Sequence, residues 1–155
     1  MSENEAVSGS DSGGLVEVTE GEWAGWSTWR GDAFEDRAGP FYERREEDGT
    51  YVAAFRAEAR HMNGAGFMHG GCLMTFADSA IFTIASEEVR GSPCVTMNLA
   101  GDFLDAAQKG QLIEARGEVT RGGGKTVYVR GIATADGKPV LSFTAIIRKL
   151  SRRKI

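Results

Sequence analysis

Alternating and helical patterns of apolar residues divide most of the chain into strands and one long helix. Residues 73–89 are apolar around nearly the whole helical circumference, which predicts a helix that is buried rather than one lying on the surface. Before it, residues 41–46 and 50–58 predict two strands joined by the turn 47–49. After it, alternating and β-branched segments predict four further strands, at 94–104, 111–120, 126–134 and 140–150.

The order of these predicted elements indicates the fold class. A hairpin, one long apolar helix and then four strands joined by short turns predict a single antiparallel sheet. Such a sheet buries an apolar helix only if it curls around that helix. We therefore expect an α+β hotdog fold, in which a curved antiparallel β-sheet wraps around one long central α-helix.

The two ends of the chain differ in composition from the part between them. Residues 1–21 are rich in Ser, Gly and Glu, and we interpret them as a disordered leader rather than a signal peptide. One domain is expected over 22–150, followed by a basic tail at 151–155. Within the domain, three tryptophans recur every three residues and would form one stripe on a short helix packed against the core, namely Trp23, Trp26 and Trp29.

Composition narrows the kinds of partner. The formal net charge of −4 lacks the basic excess that nucleic-acid binding requires, and no apolar segment is long enough to cross a bilayer as a helix. We expect a cytoplasmic protein in which Cys72 and Cys94 are buried free thiols. Two histidines and no cluster at zinc spacing argue against a metal site, and no other cofactor is expected.

Asp78 stands out within the predicted helix. The residues one turn away, such as Met74 and Phe82, provide no positive charge. Burying an unpaired carboxylate costs several kcal/mol, on the order of the stability margin of a domain, so a catalytic task would explain its presence. A solvent-facing aspartate, or one paired with a distant arginine, is the alternative that these residues leave open.

Gly70 and Gly71 open the helical segment. The first backbone N–H groups of a helix have no intrahelical acceptor, so they can hold an oxyanion, and glycine lets a ligand approach closely. A tight loop-to-helix turn would use the same residues. Gly70 and Asp78 are eight residues apart, about 12 Å along a helix, so one carbonyl cannot contact both. We therefore hypothesise that each active site is shared between antiparallel helices of two subunits.

Together, Asn63, His69, Gly70-Gly71 and Asp78 resemble the active-site signature of hotdog thioesterases of the phenylacetate-pathway (PaaI) type. The likeness continues in element order over residues 41–150. It implies hydrolysis of an acyl-CoA thioester, with Asp78 as general base or nucleophile and the Gly70 amide polarising the carbonyl. It further implies that Asn63 orients the water or the carboxylate, and that His69 fixes the loop or touches the thioester.

The same resemblance extends to residues outside the helix. Thr96 matches a hydroxyl position near the reacting centre, although threonine also suits a strand for conformational reasons alone. The glycine-rich turn would lie near coenzyme A, which makes candidates of Arg121, Gly124, Lys125 and Thr126. A solvated lysine in a hairpin is the alternative for Lys125. The Gly-Lys-Thr run does not fit a nucleotide-binding P-loop, because it joins two predicted strands.

The implied substrate is an aryl- or medium-chain acyl-CoA. The implied assembly is a homodimer with shared active sites, which pairs into a homotetramer as a dimer of dimers. Two alternative functions remain at this point. One is a hotdog hydratase or dehydratase acting on acyl thioesters, which would need a histidine facing Asp78. The other is a protein that binds acyl-CoA without cleaving it.

Overall fold

The computed structural model describes residues 13–151. Most of the predicted leader (1–12) and most of the predicted basic tail (152–155) lie outside the described residues. The elements are, in chain order, β1 (Gly14–Glu17), β2 (Ser27–Arg30), α1 (Glu35–Ala38), β3 (Tyr42–Arg45), β4 (Tyr51–Arg56), a 3₁₀ turn (Ala59–His61), α2 (Gly70–Ile84), α3 (Ser86–Val89), β5 (Cys94–Phe103), β6 (Leu112–Arg121), β7 (Thr126–Ala135) and β8 (Lys138–Lys149).

The strands form one antiparallel sheet in the order β1-β2-β3-β4-β6-β7-β8-β5. Helix α2 connects β4 to β5. Strand β5 does not return beside β4 but lies at the far edge of the sheet, where it pairs with β8. Because α2 packs against β4, β5, β6, β7 and β8, the sheet curves around it. This arrangement confirms the predicted α+β hotdog fold.

One face of α2 forms the centre of the core. Leu73, Phe76 and Ile81 are buried there. The ring centroid of Phe76 lies 4.8 Å from that of Phe55 on β4 and 5.3 Å from that of Phe41. The opposite face of the helix is only partly covered. The apolar pattern predicted a helix buried around nearly its whole circumference, whereas one face of α2 is buried and the other lines a cavity.

Replacing Phe76 with alanine is expected to lower the free energy of unfolding by about 3–5 kcal/mol, because the aromatic cluster around it cannot collapse into the space left. Phe34 is the control, since its side chain is 68% exposed and Phe34→Ala should change the same quantity by less than about 0.5 kcal/mol. Urea denaturation at one fixed protein concentration measures both variants. Equal effects of the two substitutions would contradict this description of the core.

The N-terminal region differs from the prediction. Strand β1 falls inside the segment interpreted as a leader, and it pairs antiparallel with β2. The three tryptophans do not form a helical stripe, because Ser27–Arg30 is a strand and side chains alternate between the faces of a strand. Trp23 stacks on Tyr42 and contacts Trp26 edge-on, whereas Trp29 is half-exposed. These strands extend the sheet beyond the predicted hairpin.

The later elements agree with the predicted ones to within a few residues. Helix α2 begins at Gly70, slightly earlier than predicted, and a break at Ala85 separates it from α3. Cys72 and Cys94 are free and partly buried. Burial raises the pKa of the Cys72 thiol to about 11, which makes this thiol unreactive near neutral pH.

Candidate active site

Asp78 lies near the middle of α2, on the face that the core does not cover. Its side chain is partly buried, and Oδ1 accepts a hydrogen bond of 2.7 Å from Oγ1 of Thr96 on β5. Within residues 13–151, no arginine or lysine forms a salt bridge with Asp78. The carboxylate therefore has one oxygen oriented by a hydroxyl, and the alternative in which it pairs with a distant arginine is not observed among the described residues.

Asp78 also lines a cavity of about 870 Å³ between the open face of α2 and the N-terminal elements. This volume is within the range of about 300–1,000 Å³ that is typical of small-molecule sites. Side chains from β1, β2 and the region of α1 form the opposite wall. The apolar lining residues are Leu15, Trp29, Phe34, Phe82 and Val89.

Two glutamates that the sequence analysis did not single out face the same cavity. Glu35 of α1 hydrogen-bonds Ser79, the residue after Asp78. Burial raises the pKa of the Glu35 carboxyl above its ordinary value, the bond to Ser79 opposes that rise, and nearby acidic groups including Asp78 add to it. No pattern in the sequence marks Glu35, because it lies in a short polar segment.

Glu43 of β3 is the second of these glutamates. Its Oε2 accepts a hydrogen bond of 3.1 Å from the Thr83 hydroxyl, and its carboxyl also accepts one from the Trp29 indole. Burial raises the pKa of Glu43, while these two bonds and the charge of Arg90 act against that rise. The only sequence signal was its place in a predicted strand, where alternate residues face inward.

The N-terminus of α2 is capped by His69. The Nδ1 atom of His69 accepts a hydrogen bond of 2.9 Å from the Gly71 amide. That amide is therefore bonded within the helix start, and the catalytic use of Gly71 stays a prediction. Gly70 is the first helical residue and has no intrahelical acceptor for its own amide. A Cβ at Gly70 would lie 3.1 Å from the Phe103 ring, so this position favours glycine.

Asn63 belongs to the loop before the helix. Its Oδ1 accepts hydrogen bonds from the amides of Ala65 (2.9 Å) and Phe67 (3.2 Å), which stabilise that loop. Neither Asn63 nor His69 nor Gly70 is among the described residues that line the Asp78 cavity. Within one protomer, the predicted catalytic residues thus form two groups, one around Asp78 and the other at the helix start.

The glycine-rich turn between β6 and β7 is held by α3. The Gly123 amide donates a hydrogen bond of 2.9 Å to Glu88, whose carboxylate also lies 3.6 Å from Nζ of Lys149. Arg121, Gly124 and Lys125 are exposed at this turn. Thr126 is partly buried at the start of β7. The four predicted coenzyme A contacts therefore share one accessible end of the sheet.

Neither a metal-binding cluster nor a membrane-spanning helix is found among the described residues. No group of three or more His, Cys, Asp and Glu side chains in residues 13–151 could hold a metal ion. None of the helices in that part of the chain is long and apolar enough to span a bilayer.

Comparison with known proteins assigns the chain to a family. Residues 65–141 match the family model described as the thioesterase superfamily. A variant of the phenylacetic acid degradation protein PaaI from Thermus thermophilus is 31% identical, with a TM-score of 0.65 over 77% of this chain and 100% of that chain. The chain belongs to the thioesterase superfamily. It is therefore a thioester hydrolase by family, as the resemblance implied.

Other solved structures share the fold of this thioesterase superfamily member. PaaI from the phenylacetic acid degradation operon of E. coli is 23% identical, with a TM-score of 0.67 over 77% of this chain and 86% of that chain. A hypothetical thioesterase with coenzyme A from Streptococcus pneumoniae is 22% identical, with a TM-score of 0.64 over 74% and 88%. No curated protein matches the sequence significantly.

Proposed function

We propose that this thioesterase hydrolyses an aryl- or medium-chain acyl-CoA to the free acid and coenzyme A. The observation that carries the proposal is the Asp78 carboxylate, which faces a cavity of about 870 Å³ with one oxygen bonded to Thr96. The coenzyme A in the structure of the Streptococcus pneumoniae protein supports this class of substrate. Release of thiol from benzoyl-, phenylacetyl- and octanoyl-CoA tests it, and no turnover of any of them would contradict it.

The proposed chemistry divides the work between a carboxylate and a backbone amide. Asp78 removes a proton from water, and the resulting hydroxide attacks the thioester carbon. The Gly70 amide at the positive end of α2 stabilises the oxyanion that forms. Collapse of this intermediate breaks the carbon–sulfur bond and releases coenzyme A as its thiolate, which then takes up a proton. Direct attack by Asp78, giving an anhydride that water cleaves, uses the same geometry.

A dimer would bring the two groups of residues together. Strand β5 is an edge strand. Several apolar side chains on β5, or directly after it, are exposed: Val95, Met97, Phe103 and Leu104. Exposed edges with apolar side chains are favourable surfaces for pairing with another strand. Antiparallel pairing of two β5 strands across a two-fold axis would bring Gly70 of one protomer towards Asp78 of the other. Asn63 and His69 would then support the oxyanion side of each composite site.

Two further parts of the proposal concern coenzyme A and assembly. Gly124 and Thr126 would contact coenzyme A, while Arg121 and Lys125 would attract its phosphates, since all four lie at the accessible β6–β7 turn. Pairing of two dimers would give the homotetramer implied by the resemblance to PaaI-type enzymes. Light scattering after size-exclusion chromatography measures the assembly, and a monomer at micromolar concentration would contradict it.

Thr96→Val is expected to lower kcat by about 10-fold to 100-fold with little change in KM. The substitution keeps the shape of the side chain but removes a hydrogen bond to a charged group, which is worth about 1.5–3 kcal/mol. Steady-state kinetics measure the effect, and Thr96→Ser should restore most of the rate because it retains the hydroxyl. Equal rates for the valine and serine variants would show that the hydroxyl does not position Asp78.

The hydratase alternative gains no support from the histidines. Nδ1 of buried His61 accepts from the Glu58 amide, and Nε2 lies 2.9 Å from the Ala38 carbonyl oxygen. Burial lowers the pKa of His61, so the imidazole is neutral at pH 7. His69 caps α2, and neither histidine is among the described residues that line the cavity with Asp78. Proton transfer between Asp78 and a facing histidine is therefore not favoured.

A further inference from the structure

The cavity beside Asp78 has an acidic wall for which the proposed hydrolysis has no use. Asp32, Glu35 and Glu43 line it together with Asp78, whereas Arg90 is the one cationic side chain among its described lining residues. Burial raises the pKa of both glutamates, as expected where positive charge does not compensate the loss of solvent. This imbalance of charge constrains which part of a substrate can enter.

The acyl end of an acyl-CoA fits this cavity better than the nucleotide end. The phosphates of coenzyme A are anionic and would meet several carboxylates at short range. The acyl chain is apolar and would pack against Trp29, Phe34 and Phe82 instead. A thioester carbonyl at Asp78 therefore places the acyl group along the open face of α2, with coenzyme A leaving the cavity.

Glu35 and Glu43 are held beside the path of the acyl group by hydrogen-bond donors on α2. Those donors would otherwise be available to a ligand. Ser79 and Thr83 are one helical turn apart on α2, so they face the same side. Ser79 is bonded to Glu35, and Thr83 donates to Glu43. At the far end, the guanidinium of Arg90 donates to Tyr51 at 2.9 Å and to Ser86 at 3.2 Å. A carboxylate on the substrate would thus find acceptors where it needs donors.

We propose that Glu35 and Glu43 are specificity-determining residues that reject acyl groups ending in a carboxylate, so that uncharged acyl groups of the same length are selected. The inference rests on the proposed function, because it assumes that an acyl group reaches Asp78 through this cavity. At an effective dielectric constant of about 20, an anion held about 12 Å from each of the two ionised glutamates is disfavoured about tenfold by each, and so about 100-fold by both. Both glutamates lie outside the segment that matches the family model, so this selection is a property of the N-terminal part of the chain.

Binding of two non-cleavable thioethers tests the proposal without requiring catalysis. S-hexyl-CoA and S-(5-carboxypentyl)-CoA have chains of the same length and differ only in that a carboxylate replaces the terminal methyl group. Calorimetry gives the Kd of each compound for the intact protein. The wild type should bind the hexyl compound about 100-fold more tightly. The double variant Glu35→Gln with Glu43→Gln, which preserves shape and removes both charges, should narrow the ratio to about tenfold or less. Each single variant should give an intermediate ratio.

Glu47→Gln is the matched control, because it removes the same charge from the exposed turn between β3 and β4 and should leave the ratio unchanged. Equal affinity of the wild type for both thioethers, failure to bind either, or a ratio unchanged in both single variants would overturn the proposal. Hydrolysis of hexanoyl-CoA, measured in parallel, separates the two levels of inference. Selective binding without hydrolysis contradicts only the proposed function, whereas hydrolysis without selectivity contradicts only the role of the glutamates.

Discussion

Replacing Asp78 with asparagine is expected to lower kcat/KM for acyl-CoA hydrolysis by about 10³-fold. The amide has nearly the same shape and its oxygen can still accept the Thr96 hydrogen bond, but it can neither take a proton from water nor attack the carbonyl. Thiol release under conditions where substrate is below KM measures the loss. An unchanged thermal midpoint would show that the variant retains its fold.

Asp36→Asn is the matched control, since Asp36 is exposed on α1 and outside the cavity lining. It should retain the activity of the wild type. Turnover of Asp78→Asn close to that of Asp36→Asn would rule out Asp78 as the catalytic carboxylate. A single turnover of the wild type in ¹⁸O-labelled water separates the two roles, because label reaches the Asp78 carboxyl only if that group attacks directly.

Mixing two inactive variants is expected to restore about a quarter of the wild-type activity if the site is shared between protomers. In Gly70→Pro the proposed oxyanion donor is removed, and in Asp78→Asn the proposed base is removed. After equal mixing and subunit exchange, half of the dimers contain one chain of each kind. In each such dimer one composite site combines an intact Gly70 with an intact Asp78, while the other site carries both defects. Steady-state activity before and after exchange measures the recovery.

Proline suits position 70 because the first residue of a helix has no intrahelical acceptor for its amide. His69 already has the extended backbone that a residue preceding proline adopts, with φ −63° and ψ 130°. Gly70→Ala is the control for crowding against Phe103, since it adds a Cβ but retains the amide. Gly70→Ala should keep much more activity than Gly70→Pro. No recovery in mixtures whose exchange is verified by mass would contradict a shared site.

The main elements of the fold were predictable because their signals are local. The apolar pattern of residues 73–89 indicated the helix, and alternation indicated the hairpin and the four later strands. The boundary at Gly70 was less predictable. Glycine is a poor helix former, and the His69 cap that supports the helix start becomes visible only when Nδ1 and the Gly71 amide are placed in space.

The N-terminal region was predicted poorly because its strands are short and depend on neighbours. Leu15 and Val16 have little local context, and they form β1 only because β2 provides hydrogen-bonding partners. Trp29 satisfied a helical spacing by coincidence, and in the structure it lines the cavity and donates to Glu43. Pairing between separate segments overrides weak local propensity in such regions.

The sequence by itself determined the order of the strands from β3 to β8, the long apolar helix between β4 and β5, and the candidacy of Asp78, because periodicity and an isolated charge in an apolar run are local properties. Only the tertiary structure decided that Thr96 contacts Asp78, that His69 occupies the Gly71 amide, and that Glu35 and Glu43 face the same cavity. Those contacts join residues from separate elements. They depend on how the sheet curves around the helix, which no local pattern encodes.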